Sequence, residues 1–425
     1  MTLVRVILFR FAFVYWISSV FVLAANEDTG ITLLGKVVAP VWNPIVVWVG
    51  KHVLGISYEL HTAVNGSGDK TSDWVGVLLA ATTAVVATAV WSIIDRRGTR
   101  DARLRPVLRV IVRYTLAFAL LGYGSSKLLC LQFAAPTAAR LTQPYGESSP
   151  MGLLWTFMGA SPLYQFFAGA AETIGALLLL FRRTTALGAF TLAVVLVNVV
   201  LLNLCYDVPV KINSMHYLGM CIFLLLPTLH RLADVLVFNR ATLPEASAAI
   251  SSTRRLRIAG AVIKYALIGV MVFQDVQTNI HWLRALDART WYSDYWNVTK
   301  FVQDGQEVPA LVTDTTRWQR IRFQIGIDHA YARWRYTNGS YGDLYTVVID
   351  EVRQLMTFTR TDPDKLEPAS GSLTLRYVRT DPDHLTLDGK VGAATLSVQV
   401  ERLVVDQMLL VRRGFHWINE APFNR

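Results

Sequence analysis

The chain has 425 residues, 53% of them hydrophobic and only 17% charged, with a formal net charge of +10. Soluble domains average about 25% charged residues, so this balance excludes an ordinary water-soluble enzyme and points to lipid. The basic residues sit in short clusters between apolar runs, as cytoplasmic loops of membrane proteins require, and this argues against nucleic acid as a partner. Cys130, Cys205 and Cys221 show neither CxxC nor CxxCH spacing, so no zinc site or attached haem is expected.

A bilayer-crossing helix needs about 20 mostly apolar residues. Segments 3–25, 74–94, 106–129, 162–181, 184–204, 215–232 and 258–276 have that character. Arg10 lies inside the first, which favours a retained helix over a cleaved leader ending in the VLAAN of 22–26. Segment 33–60 is apolar but broken by Pro40 and Pro44, with Trp42 and Trp48 placed as interfacial anchors, and is expected to lie on the membrane surface. Pro227 interrupts the sixth span, and an amphipathic stretch, 230–240, follows it. Arg96, Arg97, Arg100, Arg103 and Arg105 fall between spans two and three, and Arg182 and Arg183 between four and five. The basic stretch from Arg231 to Arg257 precedes the seventh span. Positive loops on one side predict a cytoplasmic N-terminus and everything after 276 outside a bacterial inner membrane.

From Trp296 onward the pattern turns to period two, as in Ile321, Phe323 and Ile325, or Leu373, Leu375 and Tyr377, which predicts half-buried strands. Asp304-Gly305, Asn338-Gly339 and Asp388-Gly389 are hairpin dipeptides, and RTDPD recurs at 360–364 and 379–383 at expected strand ends. Roughly eight to ten short strands predict an antiparallel, lipocalin-like barrel or a sandwich, holding either an apolar ligand or its own side chains.

YGSSKLL at Tyr123, QPYGESSPMGLLWTFMGAS at Gln143, AAETIGALLLLFRRTTALGA at Ala170 and NLCYDVPVKINSMH at Asn203 together resemble the DoxX-like integral membrane proteins. The resemblance implies a four-helix membrane core over spans three to six. The extra helices in front and the C-terminal part ending GFHWINEAPFNR look like a bacterial subgroup of that family. Relatives linked to quinone-dependent sulfur oxidation give the resemblance a redox theme. The expected organisation is 1–105, N-terminal membrane helices with an external interfacial segment; 106–240, the DoxX-like core; 241–289, linker, last helix and exit; and 290–425, a periplasmic β domain.

An ionisable group at the centre of a membrane span costs about 2.5 to 3.5 kcal/mol on insertion scales and so needs a partner or a purpose. Glu172, Arg113 and Lys264 each lie roughly 9 to 14 Å from the inner face at about 1.5 Å per residue, and are expected to form one charge network. That network either ties the bundle together or lets Glu172 exchange a proton during quinone or substrate chemistry. A second group gathers at the outer face. Lys127 ends span three, Cys205, Tyr206, Asp207, Lys211 and His216 follow span five, and loop 141–161 brings Tyr145, Glu147 and Trp155. Such groups suit a pocket for quinone or another small ligand, or else a rigid loop with an Asp207–Lys211 ion pair. No catalytic triad, phosphate loop, HExxH or zinc motif is present. The expected function is therefore a quinone- or lipid-associated redox accessory protein, or else a non-enzymatic anchor whose β domain binds a lipid or an envelope protein.

Overall fold

The computed structural model describes residues 3–26, 32–63, 65–96, 98, 101–243, 254–287, 291–293, 295–325, 330–361 and 368–423. Two units emerge from the packing: 1–133 with 149–279, and 134–148 with 280–425.

The first unit is helical. Its elements are α1 (Leu3–Asn26), α2 (Thr32–His52), α3 (Thr71–Ile94), α4 (Asp101–Leu128), α6 (Pro150–Gly159), α7 (Pro162–Leu179), α8 (Thr185–Cys205), α9 (Lys211–Leu225), α10 (Leu229–Leu236) and α11 (Arg254–Asp287); the short α5 (Ala138–Leu141) falls in the other unit. Among the described residues, six stretches are long and apolar enough to cross a bilayer: Leu3–Ala25, Thr71–Ile94, Asp101–Leu128, Arg182–Cys205, Lys211–Leu236 and Ile258–Arg284. Helix α7 is shorter at 18 residues and carries Gln165 and Glu172. A 3₁₀ turn, Leu226–Thr228, carries the chain past Pro227 into α10. Leu23 and Ala24 of α1 pack into the same core as Leu116, Leu192 and Met220, across the boundary expected at 105/106. All three cysteines are free.

Buried charges fix how the helices run. Arg10, 1% exposed, donates to the Asp95 carbonyl at 2.7 Å, and its guanidinium lies 3.3 Å from Asp101 and 5.1 Å from the Trp91 ring. The N-terminal half of α1, the end of α3 and the start of α4 therefore share one end of the bundle, so α2 does not traverse it. Gly35 abuts Ala24 and Trp42 abuts Val22 through Gly76, so α2 advances about 10 Å while its partners on α1 shift by about 3 Å. It lies across the end of α1. At the opposite end Asp69, just ahead of α3, accepts from the amides of Lys211 and Ile212 at 2.8 and 2.9 Å and caps α9. With α3 and α9 starting at one end, an even number of passes must separate them, and α7 supplies the fourth. It runs antiparallel to α4 throughout, from Tyr114 beside Leu180 to Phe133 beside Gln165.

The second unit is a closed antiparallel barrel of eight strands: β1 (Tyr295–Gln303), β3 (Trp318–Ile325), β4 (Ala330–Tyr336), β5 (Leu344–Asp350), β6 (Leu355–Thr361), β7 (Pro368–Arg379), β8 (His384–Val391) and β9 (Ala394–Arg402). The short β2 (Gln306–Glu307) hairpins onto β1, β9 returns to pair with β1, and α12 (Leu409–Arg412) follows. Closure satisfies the edge hydrogen bonds that an open sheet would expose. The interior is filled by its own aromatics: Trp334 stacks between Trp318 and Tyr345 at ring-centroid distances of 4.5 and 4.4 Å, with Trp296, Phe301 and Phe358 buried around them. A bulge between Trp318 and Arg320 turns both Trp318 and Ile321 inward.

Two of the expected hairpin turns stand. Asp304-Gly305 joins β1 to β2, and Asn338-Gly339 follows β4. The third, Asp388-Gly389, is instead inside β8, and the turn comes three residues later at Gly392, φ +62°, between β8 and β9. Gly389 is needed because a Cβ there would meet Leu375 Cδ2 at 2.7 Å and the Thr374 carbonyl at 2.9 Å, a close strand approach rather than a turn. The second RTDPD is the turn between β7 and β8; the first extends outside the described residues.

Candidate functional site

A partly open cavity of about 130 Å³ lies within the helical unit, walled by α4, α6, α7, α8 and α9. Its lining is mainly apolar and aromatic, including Phe133, Trp155, Tyr164 and Tyr217, with a few convergent polar groups. Helix α6 covers it because its start is fixed: Pro150 occupies the first turn, Ser149 accepts from the Gly152 amide at 3.0 Å, and Trp155 meets Phe133 edge-on at 5.0 Å.

Lys127 and Glu172 form the charged wall. Lys127 Nζ lies 2.6 Å from both Glu172 oxygens, and the side chains are 8% and 3% exposed. Each charge follows a glycine by three residues, and the glycines are the reason the pair meets. A Cβ on Gly169 would approach Lys127 Cβ at 2.7 Å and the Gly124 carbonyl at 2.8 Å, and one on Gly124 would collide with Thr173. Only hydrogen at both positions lets α4 and α7 approach closely, as small residues do at membrane helix crossings. The Tyr123 ring faces the ammonium at 5.8 Å. A bidentate carboxylate uses two of the three ammonium protons, which leaves one donor for another acceptor.

The charge network expected of Glu172, Arg113 and Lys264 does not form. Arg113 reaches Thr185 Oγ1 at 3.4 Å and stacks on Tyr114, and Lys264 sits 4.8 Å over the Phe181 ring. Glu172 turns to Lys127 instead, because α4 ends level with the middle of α7. Counting depth from helix ends cannot show this.

The expected outer cluster is divided. Trp155 lines the cavity. Asp207 and Lys211 pair at 2.9 Å beside it, with Lys211 also 3.6 Å from Asp69, so the chain from 207 to 211 is tied to the loop before α3. His216 faces α1: its Nδ1 donates to the Ile212 carbonyl at 2.7 Å, so Nε2 is the acceptor 3.0 Å from the Tyr15 hydroxyl. Tyr145 is 78% exposed and belongs to the barrel's unit. Sequence reasoning did not single out Asn198 on α8, or Asn203, whose amide donates to Ser214 Oγ at 3.0 Å; all three line the cavity. Asparagines recurring inside an apolar span were the available signal.

A stretch of 130 residues, 30% of the chain, is 36% identical to the uncharacterized protein YwoB of Bacillus subtilis (strain 168) and covers 82% of it. The chain belongs to the YwoB family. No family model matches it, and no solved structure does. Most of the chain therefore lies beyond the part shared with YwoB.

Proposed function

We propose that the chain is a DoxX-like protein of the bacterial inner membrane whose helical cavity binds the ring of a quinone. The observation that carries this is the buried Lys127–Glu172 pair in the wall of an otherwise apolar cavity. An engineered cavity of about 150 Å³ holds one benzene ring, so the volume here suits a single quinone ring, with a prenyl tail left to the opening. The remaining Lys127 proton donates to one ring carbonyl, and Asn198 is available to the other. Glu172 holds the Lys127 ammonium in place, so that its remaining N–H faces the bound oxygen. The basic loops support an N-terminus in the cytoplasm, and seven passes carry the β barrel to the periplasmic side. The self-filled barrel favours a part in surface recognition rather than enclosure of a ligand, which keeps the anchor role open as a second reading.

Solvent extraction of the purified full chain followed by mass spectrometry tests the proposal. Quinone is expected in about one-to-one amount in the native chain and to be lost from Glu172→Gln. Because removing one member of a buried pair costs about 3–5 kcal/mol, the double variant Lys127→Met/Glu172→Gln, which leaves no orphan charge, serves as the folded comparison. Quinone retained by the folded double variant, or absent from the native chain, refutes the reading.

A further inference from the structure

The outer face of the barrel carries a feature that quinone binding does not use. On β3 and β4 the inward residues pair as Ile321 with Trp334 and Phe323 with Ala332, so the alternate positions point outward. Those positions are Arg320 opposite Arg335 and Arg322 opposite Arg333. Like charges directly opposite each other on neighbouring strands destabilise a sheet, and here two such pairs are consecutive.

Little offsets them. Arg335, 8% exposed, donates to the Gly339 carbonyl at 3.1 Å and to Glu147 at 3.4 Å. Arg320 donates to Asn297 Oδ1 at 3.0 Å and to the Thr142 carbonyl at 3.4 Å. Arg333 donates through Nε to the Gly342 carbonyl at 2.9 Å and lies over the Tyr341 ring. Arg322 makes no hydrogen bond or ion pair with any described residue. Glu147, itself half exposed, pairs with Arg335 alone, and is thus the one carboxylate among the described residues that pairs with any of the four guanidiniums. The carbonyls and Tyr341 hold three of the arginines in place; Arg335 is buried, Arg320 and Arg322 are half-buried, and Arg333 is exposed.

We propose that this face is a binding site for a phosphate-type oxyanion. Planar guanidinium forks match tetrahedral oxyanions with paired hydrogen bonds, a geometry that lysine cannot reproduce. A dianion set between the two cross-strand pairs removes the repulsion that the empty face retains. Either free phosphate or the phosphate of an anionic phospholipid headgroup has this chemistry.

The test uses the full chain in detergent and in lipid nanodiscs. Melting temperature is followed against inorganic phosphate, with chloride at matched ionic strength as reference. In parallel, native mass spectrometry compares lipid retained from phosphatidylglycerol and phosphatidylcholine nanodiscs. Stabilisation by phosphate identifies the free anion, and selective retention of phosphatidylglycerol identifies the headgroup. In either arm Arg322→Gln is expected to weaken the effect by about tenfold, and Arg322→Lys to restore it only in part. Because Arg322 makes no hydrogen bond or ion pair with a described residue and faces another arginine, Arg322→Gln without ligand should melt no lower than the native chain. An equal response to phosphate and chloride together with equal retention of both lipids, or full binding by Arg322→Gln, overturns the proposal.

Discussion

The crossing of α4 and α7 can be tested with a single methyl group. In Gly169→Ala the new Cβ would stand 2.7 Å from Lys127 Cβ and 2.8 Å from the Gly124 carbonyl and the Leu128 amide. Two of these three atoms are backbone, so no rotamer change relieves the contact. Reaching an ordinary 3.4 Å requires the helices to part by about 0.7 Å locally. Alanine is favoured over glycine in a helix by about 1 kcal/mol, whereas overpacking of this kind costs about 1–3 kcal/mol. The two nearly cancel at the low end, and the upper end leaves a loss of about 2 kcal/mol. Gly269→Ala in α11 isolates the propensity gain, because nothing lies within 4 Å of the added atom. The expected order of melting temperatures in detergent is therefore Gly269→Ala, native, Gly169→Ala, and the last should also lose cavity ligand as the 2.6 Å pair lengthens. If Gly169→Ala melts with Gly269→Ala, the close crossing does not position Lys127 and Glu172.

Asp69→Ala removes both acceptors from the first turn of α9, at a cost of about 0.5–2 kcal/mol typical of a lost N-cap; faster hydrogen exchange at Ile212 checks it, and unchanged exchange contradicts the cap. On the barrel, Asp381 lies 2.9 Å from His384 Nδ1, which raises the histidine above 6.5 and, with the Asp383 and His384 amides, holds the Asp381 carboxyl below 3.8. The histidine's contribution is present below pH 6.5 and lost as pH rises through its raised value; the aspartate's is present above 3.8 and lost as pH falls through its lowered one. A histidine NMR titration should place His384 above 6.5 in the native chain and bring it down in Asp381→Asn; no downward shift would remove the pair.

How much of this was legible in the sequence depended on whether the cause was local. Strand alternation showed Ile321 and Phe323 as inward because period two is a property of neighbouring residues. Lys127 and Glu172 were each visible as costly charges, but their meeting depends on where α4 stops against α7, a tertiary fact. The repeated glycine three residues before each charge was the readable trace of it. Asp69 gave no local sign of its role, since nothing near it in the chain indicates a partner more than 140 residues away. Asp388-Gly389 misled for the opposite reason: the dipeptide fits a turn, but the need for glycine came from the neighbouring strand.

The Asp69 contact also bears on the order in which the protein is made. The loop it closes spans 142 residues and contains α3, α4, α7 and α8, so the first turn of α9 cannot be completed until each of these has been inserted in its proper direction. A span inserted backwards, or skipped, would bring α9 to the wrong end of the bundle, with Asp69 out of reach. Completion of that turn thus depends on every intervening span running in its proper direction, which a truncation series ending before and after Ile212 would display as delayed acquisition of protease resistance.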